Sequence, residues 1–433
     1  MILAAALLLA SQAPASVEEP GVSKPPPGFT ALFNGQDLDG WRGRPHLEPG
    51  SEASYKKKHR ATKQAEWDAD RDLHWRVENG ELVNDGQGVF LTTAKDYADF
   101  DLRLEYKTVA LADSGIYLRG VPQVQIWDWT KAGGKWKHGA DKGSGGLWNN
   151  QKYPRFPIKK MDRPFGKWNS LRILMTGARV SVWMNDELTV PHVPLENYFD
   201  RARPVPASGP IQLQTHGGEI RWRNIFLKPL AAEESNAILA ANQAKEFKSV
   251  FNGKDFVGWC GPTDGYEVVN GALRCKPGHG GTIYTDGIYK DFVARLQFKL
   301  PAGGNNGLAI RYPGHGNTAY EGMCELQVLD NTAKKYAGLK PYQYHGSAYG
   351  MVPAARGFQR PVGEWNFQEV TVKGNRIIVE LNGFFILDTD LGEMNGTMDG
   401  KDHPGLKNAK GHFGFAGHND PVEFKEVSIR SLD

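Results

Sequence analysis

Along most of the chain apolar and polar residues alternate with period two, the signature of strands that bury one face. Ile211-Gln-Leu-Gln-Thr-His216 and Val370-Thr-Val-Lys373 show the rhythm, and Asn-Gly pairs at 79–80, 270–271 and 382–383 punctuate it. Asn-Gly between alternating runs marks tight hairpins, so many short antiparallel strands are predicted, arranged as a β-sandwich or jelly roll. Two stretches break the rhythm. Residues 231–246 are rich in Ala and Glu and lack Gly and Pro, which predicts a helical linker. Residues 42–71 carry the basic run Tyr55-Lys-Lys-Lys-His-Arg60 and a second helical pattern from Ala61 to Ala69. That run could attract an anionic glycan, although a solvated helix face is the simpler reading.

The pattern is stated twice. Phe29 to Trp41 returns as Phe247 to Trp259, Tyr97 to Lys107 as Tyr289 to Lys299, and Gly115 to Arg119 as Gly307 to Arg311. Gln125 to Asp128 returns as Gln327 to Asp330, Trp168-Asn169 as Trp365-Asn366, and His216 as His418. Length alone, at 433 residues, suggests about three domains of ~150 residues. The duplication overrides that and predicts two, 28–230 and 247–433, with the segment near 42–71 inserted only in the first.

Alternation also sorts the faces. Ile116, Leu118, Val124 and Ile126 point to the core, which leaves Tyr117, Arg119, Gln123, Gln125 and Trp127 on the other side. Gln212, Gln214 and His216 join them from a third strand. Such a set suits a sugar, with amides and guanidinium for hydroxyl pairs and an indole for the apolar face of a pyranose. In the second copy Arg311, Gln327 and His418 keep their places, Glu325 replaces Gln123, and Glu369 falls near the equivalent of Arg172. A carboxylate beside His and Arg can serve as a general base, hold a cation or form an ordinary salt bridge.

Composition narrows the classes. Fifty-one Gly, 26 Pro and 11% aromatics fit a turn-rich globular chain. A net charge of +3 argues against nucleic acid as a partner. The run Met1 to Ala10 is too short to span a bilayer, and Ala13-Pro14-Ala15 fits a cleavage site, so residues 1–15 read as a signal peptide without its usual basic start. No integral membrane segment is expected in the mature chain. Residues 16–27, ending in Lys24-Pro-Pro-Pro27, read as a stiff lead-in. Cys260, Cys275 and Cys324 make no closed framework; the first two could pair, or all could be buried thiols. Nucleotide, P-loop, zincin and nucleophile-elbow motifs are absent from the sequence.

These residues together resemble the 3-keto-disaccharide hydrolase family, also described as 3-keto-glucoside 1,2-lyase/2-hydroxy-3-keto-glucal hydratase domains. The resemblance rests on Phe33 to Trp41, Asp113 to Arg119, Gln123 to Asp128, Trp168-Asn169 and Leu213 to Gly217. It rests further on Phe251 to Asp255, Glu325 to Asp330, Trp365-Asn366 and Leu381 to Gly383 in the second copy. It implies two concanavalin-like jelly rolls, export to the periplasm or medium, and action on a glycoside or disaccharide oxidised at C3. A C3 ketone acidifies the C2 proton, so one modest base can remove it and expel the C1 substituent. Water then adds back. The expected assignment makes His216 the base in the first copy, with Arg119 steadying charge and Gln123, Gln125 and Trp127 gripping the sugar. In the second, Glu325 with His418 is the base, Arg311 steadies the enolate, and Glu325 and His418 could hold a divalent cation. Asp128 and Asp330 sit at strand ends, within reach of a ligand or capping a turn. Two rivals stand beside this reading. One is a lectin-like sugar binder; the other is a conventional glycosidase using Glu325 and Glu369 as its facing carboxyls.

Overall fold

A computed structural model of the chain describes residues 23–432. The expected signal peptide and most of the Pro-rich lead-in lie outside the described residues. The fold is two tandem concanavalin-like sandwiches, each pairing an eight-stranded sheet with a five-stranded one. Strand order is the same in both halves. The smaller sheet of the first runs Trp41–Arg44, Phe90–Thr93, Gln212–Leu213, Asp113–Leu118, Val121–Trp127; that of the second runs Trp259–Cys260, Gly280–Thr285, His412–His418, Asn305–Tyr312, Cys324–Leu329. All pairings are antiparallel, and those strands carry the candidate sites.

The repeated opening motif is a capped turn followed by an anchor. Asn34 accepts from the backbone N–H of Gln36 and Asp37 and donates to Asp37, and Asn252 repeats this with Lys254 and Asp255. The Trp that follows is buried. Its indole donates to Leu32 O in one half and Val250 O in the other, at 2.7 and 2.9 Å. Between the sheets sit Leu82, Leu91, Ile116, Val124 and Trp222 in the first half, answered by Leu273, Ile283, Leu308, Leu326 and Phe424 in the second. Each such side chain contributes about 1.5–3 kcal/mol by leaving water.

The linker forms a helix, Ala232–Ala241, then a short 3₁₀ turn, Ala244–Glu246. Its Asn236 donates to Gln297 and to Trp365 O, tying it to the larger sheet of the second half. The insertion forms a longer helix than its pattern predicted, Lys57–His74, laid along strand Trp41–Arg44 through Gln64 and Asp68. Cys260 and Cys275 belong to different sheets, and all three cysteines are free thiols. No helix among the described residues is long and apolar enough to cross a membrane.

Candidate active site

In the first half the smaller sheet floors a cavity of about 480 Å³. Strand Asp113–Leu118 sends Asp113 and Tyr117 into it, and strand Val121–Trp127 sends Gln123, Gln125 and Trp127, as alternation requires. Gln214 and His216 follow strand Gln212–Leu213, while Lys135, His138 and Trp148 come from the loop beyond Trp127. His46, from the segment found only in this half, closes one end.

Asp113 is the hub. One carboxylate oxygen accepts from Gln125 Nε2 at 2.7 Å; the other pairs with His216 Nδ1 at 3.0 Å and with Lys135 Nζ. Gln123 donates to the far end of the Gln125 amide, so the two amides form a relay pointing at the carboxylate. Burial pushes Asp113 up, but His216 and Lys135 overcome this and hold it below the usual carboxylate range. The hydrogen bond to Asp113 raises His216 above an ordinary imidazole, against an opposing pull from burial. Gln214 is buried at the cavity wall, its side-chain Oε1 without a partner and its backbone carbonyl accepting from Ser114 Oγ.

The second half has its own cavity of about 360 Å³, lined by Asn305, Glu325, Gln327, Tyr320, Lys401 and His418 among others. Strand register aligns Asn305 with Asp113 and Glu325 with Gln123 across the central Gln. His418 Nε2 lies 3.4 Å from Glu325 Oε1, and Gln327 donates to Asn305 at 2.6 Å. Acid and amide have therefore exchanged places between the copies, while Gln and His stay. The bond to Glu325 raises His418 too. Gly307 makes room for the exchange, since a Cβ there would lie 2.1 Å from Glu325 Oε1.

Six of the expected residues do not meet a cavity. Arg119 and Gly120 have φ of 55° and 75° and form the hairpin turn between Leu118 and Val121, so alternation ends before Arg119. Its fully buried guanidinium binds Ala98 O, Pro206 O and Asp99. Arg311 sits at a bulge, φ 47°, and binds Lys290 O, Asn408 O and Asp291 in the same manner. Asp128 and Asp330 cap loops, each accepting from the N–H and hydroxyl of the Thr two residues on. Gln212 bonds Thr92, outside the cavity lining. Glu369 lies in the larger sheet, paired with Arg295 at 2.5 Å and beside Glu380, which binds Arg179 of the first half. Glu325 and Glu369 consequently do not face each other, and the carboxyl pair of a conventional glycosidase is not formed. Asp113, Lys135, His46 and Trp148 are among the lining residues of the first cavity that the sequence reading had not named as site residues. Among the described residues no three His, Cys, Asp or Glu side chains converge, so a cation at Glu325 and His418 would have two such ligands.

A family model described as the 3-keto-alpha-glucoside-1,2-lyase-like domain matches residues 28–228 and again 246–430. The chain belongs to this family. A Bacteroides thetaiotaomicron relative named 3-keto-disaccharide hydrolase is 26% identical over 249 residues, 48% of this chain and 86% of its own. Two solved structures from Parabacteroides distasonis, both provisionally assigned as glycosyl hydrolases, are 27% and 26% identical. They cover 43% and 47% of this chain and 99% of each of theirs, with TM-scores of 0.38 and 0.37. Each half of this chain matches one 3-keto-alpha-glucoside-1,2-lyase-like domain, and between the two the acid has moved from one flank of the central Gln to the other.

Proposed function

We propose that the chain is an exported enzyme that cleaves 3-keto-glycosides by elimination across C1–C2 followed by hydration. The observation that carries this is the histidine–carboxylate pair at a sugar-sized cavity in each copy of a 3-keto-alpha-glucoside-1,2-lyase-like domain. In the first copy Asp113 orients His216 through Nδ1, leaving the other ring nitrogen to take the C2 proton. Lys135, already on that carboxylate, is the cation placed to steady the enolate oxygen, the role expected of Arg119. Trp127 and Trp148 form an aromatic wall. In the second copy Glu325 orients His418 and Lys401 is the nearby cation. Export is inferred from the apolar N-terminal run, and the mature N-terminus can be read by sequencing the secreted protein.

The test is turnover of a 3-keto-glucoside by the single variants His216→Asn and His418→Asn and by the double variant. Loss of roughly 10²-fold or more in the double variant is expected for removal of a general base. Full activity in the double variant would refute the histidines as bases. Binding of ordinary glucosides with no turnover of the oxidised ones would establish the lectin-like alternative instead.

A further inference from the structure

The cavity of the first copy has two chemically different ends. Asp113, Lys135 and His216 mark one. Four residues along the same strand face, about 13 Å away at ~3.3 Å per residue, Tyr117 marks the other. There the imidazole of His46 lies among the rings of Phe90, Tyr117, Tyr198 and Phe199, with centroids 5.2–6.1 Å from its own. In this box His46 Nδ1 meets Tyr117 Oη at 2.9 Å, and the Gln123 amide nitrogen is committed to Gln125. Burial, with Arg44 adding to it, lowers His46 below an ordinary imidazole, and burial raises Tyr117, so both are neutral at neutral pH. A second sugar unit would set several hydroxyls against a mostly aromatic wall, whereas a flat apolar ring would bring none.

The second copy lacks the box. Register places Ala309 where Tyr117 stands, and nothing there corresponds to the segment that carries His46. Resting on the proposed 3-keto-glycosidase reading, we infer that His46, Phe90, Tyr117 and Tyr198 form a leaving-group subsite for an aromatic aglycone, present in the first copy alone. The substrate class is then aryl and arylalkyl 3-keto-glucosides, with the sugar at the Asp113 end and the ring in the box.

Benzyl and methyl 3-keto-glucosides test this, because both release a primary alkoxide of similar basicity and differ by one ring. With the full chain carrying His418→Asn, so that only the first cavity works, kcat/KM should favour the benzyl compound roughly tenfold or more, the gain from burying a phenyl ring. The preference should fall toward unity in Tyr198→Ser and in His46→Ser, while turnover of the methyl compound stays within about threefold of the parent. Tyr198 is 42% exposed and outside the core, so that variant keeps the fold and decides the matter if His46→Ser does not fold. Equal turnover of the two compounds by the parent, or a benzyl preference that survives Tyr198→Ser, would overturn the subsite and leave the 3-keto-glycosidase reading standing. No turnover of either compound by the wild-type chain would overturn both.

Discussion

Replacing Arg119 with Met should cost the protein stability and not chemistry. The guanidinium is fully buried, and burial pulls it down to about 10, still charged at neutral pH, with Asp99 opposing the drop. It donates to Ala98 O at 2.7 Å, Pro206 O at 3.1 Å and Asp99 Oδ1 at 2.8 Å. Methionine fills part of the volume but strands two carbonyls and a carboxylate that retains only the Gly177 N–H. Breaking a buried ion pair from one side costs about 3–5 kcal/mol, a large share of the 5–15 kcal/mol that holds a domain together. For a half of this size, each kcal/mol moves the melting temperature by about 2–4 °C, so a drop on the order of 10 °C is expected. Arg311→Met should do the same to the second half by stranding Asp291. The assay is a melt by circular dichroism beside kcat/KM for a 3-keto-glucoside at 20 °C, per folded molecule. An Arg119→Met protein that melts with the wild type yet has lost a hundredfold in turnover would refute the assignment and restore Arg119 to the chemistry.

The exchanged pair gives two further expectations. In a His418→Asn background Asp113→Asn should lower turnover by about 10²-fold, and adding Gln123→Glu, which rebuilds the arrangement of the second copy, should recover part of it; kcat/KM for the three proteins decides. The Asp113–His216 pair should also stabilise the fold over a bounded pH range. Asp113 titrates below its ordinary value and His216 above its own, so the contribution is full between the two ordinary values. It is lost as pH falls through the lowered Asp113 value and as pH rises through the raised His216 value. The His216 side chain is 58% exposed, so water screens the pair to about 0.5–1 kcal/mol. The difference in melting temperature between wild type and Asp113→Asn, followed against pH, should peak in that window and shrink on both sides.

The architecture was legible because period two survives wherever one strand face is buried, and the helical linker because nothing in 231–246 interrupts a helix. Pocket residues on strands, Tyr117, Gln123, Gln125 and Trp127, were legible for the same reason. The failures have several physical origins. Positions shared by both copies invited a functional reading, but many are shared because they hold the fold: Arg119 and Arg311 clamp Asp99 and Asp291, and Asn169 and Asn366 brace Asn185 and Asn382. Alternation also says nothing about where a strand stops, so Arg119 was assigned to a face when its positive φ puts it in a turn. Asp113 was within reach, since it stands in phase with Gly115 and Tyr117, but its counterpart is Asn305 and the difference hid it. His46, Lys135 and Trp148 come from segments without period, and only tertiary structure brings them to the cavity.

Why only one flank of the central glutamine is acidic follows from charge. Gln125 has a donor end and an acceptor end; the donor end is fixed on Asp113 and the acceptor end receives Gln123. A glutamate at 123 would stand on the acceptor side of Gln125, as Glu325 stands beside Gln327, and would put a second carboxylate in the cavity that already holds Asp113. A second anion beside the first would also raise the proton affinity of both. In the second copy Gln327 gives its donor end to the neutral Asn305, and the charge sits at Glu325, where His418 can neutralise it. One acid per cavity therefore leaves a single carboxylate for the histidine to neutralise. The histidine lies close enough to both flanking strands to serve an acid on either, which is what allowed the charge to change strands while the base stayed.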